Sequence, residues 1–100
     1  MKTIKVDSWT EVPKNYTGIV ENINDDKFWY LNGELHRVDG PAIEFANGSK
    51  YWYLDGKRHR IDGPAVDWAN GYKQYCINGE RVTKEAQEVL YAMYKLKGLL

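Results

Sequence analysis

Two short signatures carry the side chains best suited to chemistry: His36-Arg37-x-Asp39 and His59-Arg60-x-Asp62. Each sets an imidazole, a guanidinium and a carboxylate within reach of one another. Arginine grips phosphate or carboxylate through paired hydrogen bonds. The repeated sites could therefore sequester a small anionic nucleotide, with Tyr30, Tyr51 and Tyr53 stacking on its base. The alternative is structural. Asp39 and Asp62 would bond their own backbone to shape the turn before Gly-Pro, and Arg37 would pair with an acid of the next unit. Occurrence in both copies favours the structural reading, because an active site rarely needs to be made twice.

Other chemistry is less well supplied. A nucleophile needs a base beside it, and Cys76 stands in a strand column held by Tyr30 and Tyr53 elsewhere, so it reads as a small buried or edge residue. Metal binding needs three or four converging ligands; two histidines 23 residues apart with aspartates do not make such a set. Glu44 and Asp67 could form an acid–base pair, but alternation points both to solvent. An enzyme built on His36/His59 with Asp39/Asp62 is the weakest reading. No catalytic residue, metal ligand or cofactor is expected.

The element that must position these groups is a tandem repeat. Phe28 to Lys50 and Tyr51 to Lys73 align without a gap at a period of 23 residues, with 14 positions identical, 6 similar and 3 different in kind. A third, partial copy runs from 74 to 82. Residues 18–27 form a degenerate half-repeat, and residues 1–17 a cap on the open end. Such internal repetition marks units that stack on their neighbours. Turn signals punctuate each unit: Asn32-Gly33, Asp55-Gly56 and Asn78-Gly79; Asn47-Gly48 and Asn70-Gly71; Asp39-Gly40-Pro41 and Asp62-Gly63-Pro64. Asn-Gly tolerates the positive φ of tight hairpins. Strands are expected near 42–46, 50–54, 57–60, 65–69 and 73–77. The fold class is mainly β, an antiparallel meander of tandem hairpins in one domain.

Comparison of the copies predicts the faces. The columns Trp29/Trp52/Tyr75 and Leu31/Leu54/Ile77 stay apolar, so they are placed on the core with Ile43/Val66 and Phe45/Trp68 opposite. Phe28, Tyr30, Tyr51, Tyr53 and Tyr72 then make a half-exposed outer face. Tyr and Trp are enriched in interface hot spots, so this face is a candidate partner surface. From Thr83, a suitable N-cap, the period changes. Glu85 and Glu88 come early and Lys95 and Lys97 late, which suits the helix dipole. Ala86, Val89, Leu90, Met93 and Leu96 form an apolar stripe, and Gly98 a stop. A helix over 84–97, within a capping segment 83–98, is expected to cover the last sheet edge. Tyr91, Tyr94, Leu99 and Leu100 lie outside the stripe and could support a homodimer.

Composition bounds the partners. Fourteen basic residues balance fourteen acidic ones, so no charge field exists to recruit nucleic acid or an anionic membrane. One cysteine permits no internal disulfide and suits a reducing compartment. There is no run of signal-peptide or membrane-span length. The expectation is a soluble, cytoplasmic protein.

The unit, with its Asn-Gly turns around a histidine and its flanking aromatics, resembles a MORN repeat over Gly18 to Gly79. Arg37 and Arg60 stand where MORN units carry a glycine after the histidine, and the spacing between turns differs, so the likeness is to a divergent form. The pattern W-Y-x-x-G-x-x-H-R-x-D-G-P-A is similar to repeats in short bacterial and bacteriophage proteins. That resemblance implies a non-enzymatic interaction role and a bacteriophage or mobile-element origin. Taken with the repeats, the neutral charge, the lack of a catalytic set and the aromatic face, it leads to the expectation of a protein partner, a host enzyme or defence protein blocked by occlusion.

Overall fold

Short alternating runs between turn residues fold as short strands, and the computed structural model describes them over residues 1–99. In chain order they are β1 (Thr3–Val6), β2 (Gly18–Asn22), β3 (Lys27–Leu31), β4 (Glu34–Leu35), β5 (Ile43–Glu44), β6 (Lys50–Tyr51), β7 (Tyr53–Leu54), β8 (Lys57–Arg58), β9 (Val66–Asp67), β10 (Lys73–Ile77) and β11 (Glu80–Val82). Helix α1 (Lys84–Leu96) follows. The main sheet runs β1-β2-β3-β5-β6-β9-β10-β11, with β4 attached to β3; β7 and β8 pair separately. The chain is thus mainly β, a mixed sheet of many strands with one C-terminal helix.

The mixed character departs from the antiparallel meander expected. Thr3 lies opposite Ile19 and Val6 opposite Asn22 in a parallel pair. Residues 7–17 make the long crossover that parallel pairing needs, through a single 3-10 turn, Trp9–Glu11, capped by Ser8 and Glu11. Residues 1–17 therefore extend the sheet by one strand, so that β1 rather than β2 is its terminal strand.

Turn chemistry explains the hairpins. Asn32, Asp55 and Asn78 each have φ near 50°, followed by glycines at 83°, 78° and 86°. They join Leu31 to Glu34, Leu54 to Lys57 and Ile77 to Glu80 in two-residue loops. Two successive positive φ angles make the type I′ turn, whose twist matches the strands. At Asn47-Gly48 and Asn70-Gly71 only the glycine is positive. There the Phe45 and Trp68 N–H groups donate to the carbonyls of Ser49 and Tyr72 at 2.9 Å, closing a wider loop. Most expected strands are shorter than their apolar runs, and the run 50–54 breaks at Trp52. Its N–H donates to Ala65 O at 2.7 Å, so Tyr51 stays in the main sheet while Tyr53 enters the β7–β8 hairpin.

The face assignment is overturned. The core cluster is Val6, Tyr16, Val20, Phe28 and Ile43, with Tyr30, Phe45, Tyr51 and Tyr53 packed against it. Val66 and Cys76 are each 1 % exposed. Ile43 and Val66 are buried as expected, but Trp29 and Trp52 are only half-buried, and Leu31 is exposed. Tyr30, Tyr51 and Tyr53 are therefore core-side rings, not an outer face. Alternation fixes the period of a strand but leaves its phase open when both columns are aromatic. Arginine settles it: Arg37 and Arg60 cover the two indoles, which leave water without entering the core.

The helix is also rotated from expectation. Thr83 Oγ1 accepts the Ala86 N–H at 3.0 Å as the N-cap, and Gly98 ends the helix at φ 69°. However, the inward residues are Gln87, Leu90, Tyr91 and Tyr94, whereas Ala86, Val89, Met93 and Leu96 are exposed. Gln87 sets the rotation, because its Nε2 donates to the carbonyls of Arg60 and Gly63. Leu99 is exposed; Leu100 lies outside the described residues.

Candidate functional site

Each His-Arg-x-Asp signature folds into the same small assembly. The Arg37 guanidinium carbon lies 4.1 Å from the Trp29 ring centroid, and that of Arg60 lies 3.9 Å from Trp52. A cation over an indole face contributes about 0.5–2 kcal/mol. Arg37 Nε donates to Asp39 Oδ1 at 3.1 Å and Nη1 to Pro41 O and Glu44 Oε2, each at 3.2 Å. Arg60 repeats the first two, to Asp62 Oδ1 at 2.9 Å and Pro64 O at 3.2 Å. Asp67, the counterpart of Glu44, takes Lys73 Nζ instead, at 3.0 Å. The aspartates thus serve their own arginine rather than their own backbone, and Arg37 finds its acids inside its own unit rather than in the next.

The histidines join successive units. His36 Nδ1 accepts the Asp55 N–H and His59 Nδ1 accepts the Asn78 N–H, each at 3.0 Å. An accepting Nδ1 requires the neutral ring protonated at Nε2. The approach of Asp55 Oδ1 to His36 Nδ1, 3.3 Å, is then a close neighbour rather than an ion pair. Burial lowers the His59 pKa, in agreement with a neutral ring. Backbone bonds accompany the side chains: Arg37 N to Tyr53 O and Arg60 N to Cys76 O, both 3.1 Å, and Gly56 N to Leu35 O and Gly79 N to Arg58 O. These bonds recur one period apart.

A second arrangement escaped sequence reasoning. Six rings run in series along the sheet. Trp9 meets Phe28 at 4.7 Å between centroids, Phe28 meets Phe45 at 6.1 Å, and Phe45 meets Tyr51 at 5.5 Å, all edge to face. Trp68 Nε1 donates to the Tyr51 hydroxyl at 2.8 Å, and Trp68 packs on Tyr72 at 4.7 Å. Such ring pairs add about 0.5–1.5 kcal/mol each beyond area burial. Trp9 is 50 % exposed, and Trp68 and Tyr72 are 39 % exposed, so the row is open at both ends. Phe45, Asn47, Ser49, Tyr51, Trp68 and Asn70 line an open groove of roughly 410 Å³ along it. The Asn47 and Asn70 carbonyl oxygens accept the N–H groups of Ser49 and Tyr72, leaving their amide N–H₂ groups to donate outward. The groove lining carries no formal charge.

The nine residues singled out from sequence therefore part company. His36, Arg37, Asp39, His59, Arg60 and Asp62 hold turns together. Tyr51 belongs to the aromatic row and also lies 5.3 Å beneath the Arg58 guanidinium. Tyr53 accepts from Arg58 Nε at 3.3 Å. Burial raises the Tyr30 pKa, and this ring lies outside the row. Trp9 was missed as a surface candidate, and Trp68, placed on the core from sequence, is exposed; Phe45, placed on the core likewise, does pack against the core while lining the groove. For Trp68 a signal was present: an aromatic directly follows both β5 and β9 just before Ala-Asn-Gly. Among the described residues no group of three His, Cys, Asp or Glu is placed to hold a metal ion, and no helix is long and apolar enough to cross a membrane. Compared with protein-family models, curated proteins and solved structures, the chain finds no match.

Proposed function

We propose that this chain is a non-enzymatic protein-binding module, a divergent MORN-like ladder of 23-residue hairpin units closed by β1 and α1. The observation that carries this reading is the aromatic row, exposed at Trp68 and Tyr72 and bordered by an uncharged groove. Rigid aromatic rings supply contact area at low entropic cost, and they dominate the energetics of protein interfaces. The partner segment suited to this groove is uncharged, apolar and able to offer backbone carbonyls to Asn47 and Asn70. The resemblance to bacteriophage repeats adds the biological setting: an accessory protein that blocks a host protein by occlusion in the host cytoplasm.

The nucleotide reading has no comparable observation behind it, since Arg37 and Arg60 direct donors into their own turns. Affinity capture from bacterial lysate, followed by calorimetry with the identified partner, tests the proposal. Trp68→Ala with Tyr72→Ala should weaken binding at least about 30-fold, the effect of losing roughly 2 kcal/mol at a hot spot. Equal binding by the double variant and the wild type removes the row from the account.

A further inference from the structure

Two arginines have no acid to hold. Arg37 reaches Asp39 and Glu44, and Arg60 reaches Asp62, whereas Arg58 and Arg81 form no ion pair among the described residues. They occupy one column of the repeat, 23 residues apart, where the first unit carries Leu35 against the core. An apolar position has thus become cationic in the second and third units. The fold brings the two together. Arg58 O accepts the Gly79 N–H at 2.8 Å, and Arg81 lies opposite Cys76 in the β10–β11 pair. Burial raises the Cys76 pKa while Arg58 and Arg81 both pull against it, so one thiol feels both cations.

The groups that hold these guanidiniums are neutral. Arg58 Nε donates to the Tyr53 hydroxyl and Nη1 to Gln74 Oε1, each at 3.3 Å. Gln74 Nε2 and Arg81 Nη2 both donate to the Tyr72 hydroxyl, at 3.2 and 3.4 Å. One chain of bonds therefore links Arg58 to Arg81 through Gln74 and Tyr72. The Tyr53 bond holds the Arg58 pKa above its ordinary value against the opposite pull of burial, and no carboxylate takes part. Donors are left over. Arg58 Nη2 and Arg81 Nε and Nη1 have no acceptor among the described residues. The Tyr72 oxygen accepts twice and keeps its own hydrogen to give. Like charges held only by amide and hydroxyl oxygens repel, and an anion between them would relieve this. Arg81 and Tyr72 are exposed, so the approach is open.

We infer that Arg58, Arg81 and the Tyr72 hydroxyl form an anion site at the Tyr72 end of the aromatic row, occupied by an aspartate or glutamate carboxylate of the protein partner. The inference rests on the protein-binding reading above and adds the charge that the groove lacks. Tyr72 packs on Trp68 at 4.7 Å, so the acid would follow directly on the uncharged segment and fix its direction along the row. Arginine donors suit a carboxylate. Continuity with an uncharged groove, and a net charge of zero that supplies no wider field, favour this occupant over a nucleotide phosphate.

Acetate, a free carboxylate, tests the site itself. Titrated at constant ionic strength over about 1–200 mM, a range that brackets millimolar dissociation, it should shift the Arg58 and Arg81 Nε–H resonances along a saturating curve. Arg37 and Arg60, already paired, are internal controls. Shifts no larger than theirs overturn the proposal. Inorganic phosphate and adenosine monophosphate, run in parallel, separate the sources. A nucleotide that saturates about tenfold or more below phosphate, the gain expected from base stacking, would overturn the assignment to a partner's carboxylate. With the captured partner, Arg81→Gln should weaken binding about tenfold and flatten its salt dependence, with circular dichroism unchanged because Arg81 is exposed. Unchanged partner binding by Arg81→Gln overturns the proposal, and leaves the row in place if Trp68→Ala still weakens it. Full binding by Trp68→Ala beside a tenfold loss in Arg81→Gln would instead fault the row and support the anion site.

Discussion

Gly63 lies directly against Arg60. A Cβ built on this glycine would stand 2.7 Å from the guanidinium carbon, which itself lies 3.9 Å from the Trp52 ring centroid. Gly40 stands in the same relation to Arg37, at 2.8 Å. The glycine of the Asp-Gly-Pro turn is thus fixed by contact with the stacked arginine.

This contact predicts a coupled pair. Gly63→Ala should cost about 1–3 kcal/mol through overpacking. In an Arg60→Ala background the clash is absent, and the same change should cost under about 0.5 kcal/mol, a coupling of the size found between touching residues. Urea unfolding of the four proteins measures it. Equal costs in both backgrounds would mean that the guanidinium moves aside freely.

Stability should depend on pH through His59. Burial lowers its pKa in the folded chain below the ordinary value of about 6.5. The unfolded chain therefore binds more protons between the two pKa values, and stability rises with pH across that window. The contribution is fully present above about pH 6.5 and is lost as pH falls through the folded value, where Nδ1 would have to give up the Asn78 N–H. His59→Asn, whose Oδ1 can accept the same N–H, should flatten the slope of urea midpoint against pH between neutrality and pH 5. An unchanged slope would assign the titration elsewhere.

Gln87→Ala should release α1. The side chain is 4 % exposed and its amide serves two carbonyls of the Arg60–Gly63 turn. Stranding them costs about 1–3 kcal/mol. Hydrogen exchange should quicken across residues 84–96 while the β2–β3 amides keep their protection. Uniform loss of protection would show the helix and sheet opening as one unit.

Cys76 should resist thiol reagents. It is 1 % exposed, and burial pushes its thiol up against a smaller opposite pull from Arg58 and Arg81. Labelling of the native chain with a disulfide reagent should run at least about a hundredfold slower than in denaturant, limited by local opening. Comparable rates would place the sulfur at the surface.

The mainly β character, the hairpin turns, the N-cap at Thr83 and the stop at Gly98 were all legible, because each rests on local backbone preference. The phase of the strands was not. Phe28-Trp29-Tyr30 offers aromatics to both faces, and only the placement of Arg37, eight residues from Trp29, tells which one is covered. The rotation of α1 was hidden for the opposite reason. Its apolar stripe points outward because one polar side chain, Gln87, finds two carbonyls that no sequence window brings near it. The parallel seat of β1 depends on a crossover whose residues carry no periodic signal. The aromatic row was partly legible, since its rings recur in the repeat, but Trp9 joins it from outside.

The bonds by which Leu35 and Tyr53 engage Gly56 and Arg37 reappear where Arg58 and Cys76 engage Gly79 and Arg60. An inserted extra copy of residues 51–73 would meet neighbours it already fits on both sides. Duplication or deletion in whole units should therefore give chains of different length with intact ends, whereas an insertion of another size within 36–55 or 59–78 would change the spacing between a histidine and the N–H it accepts. The same fastening thus serves both junctions between these turns.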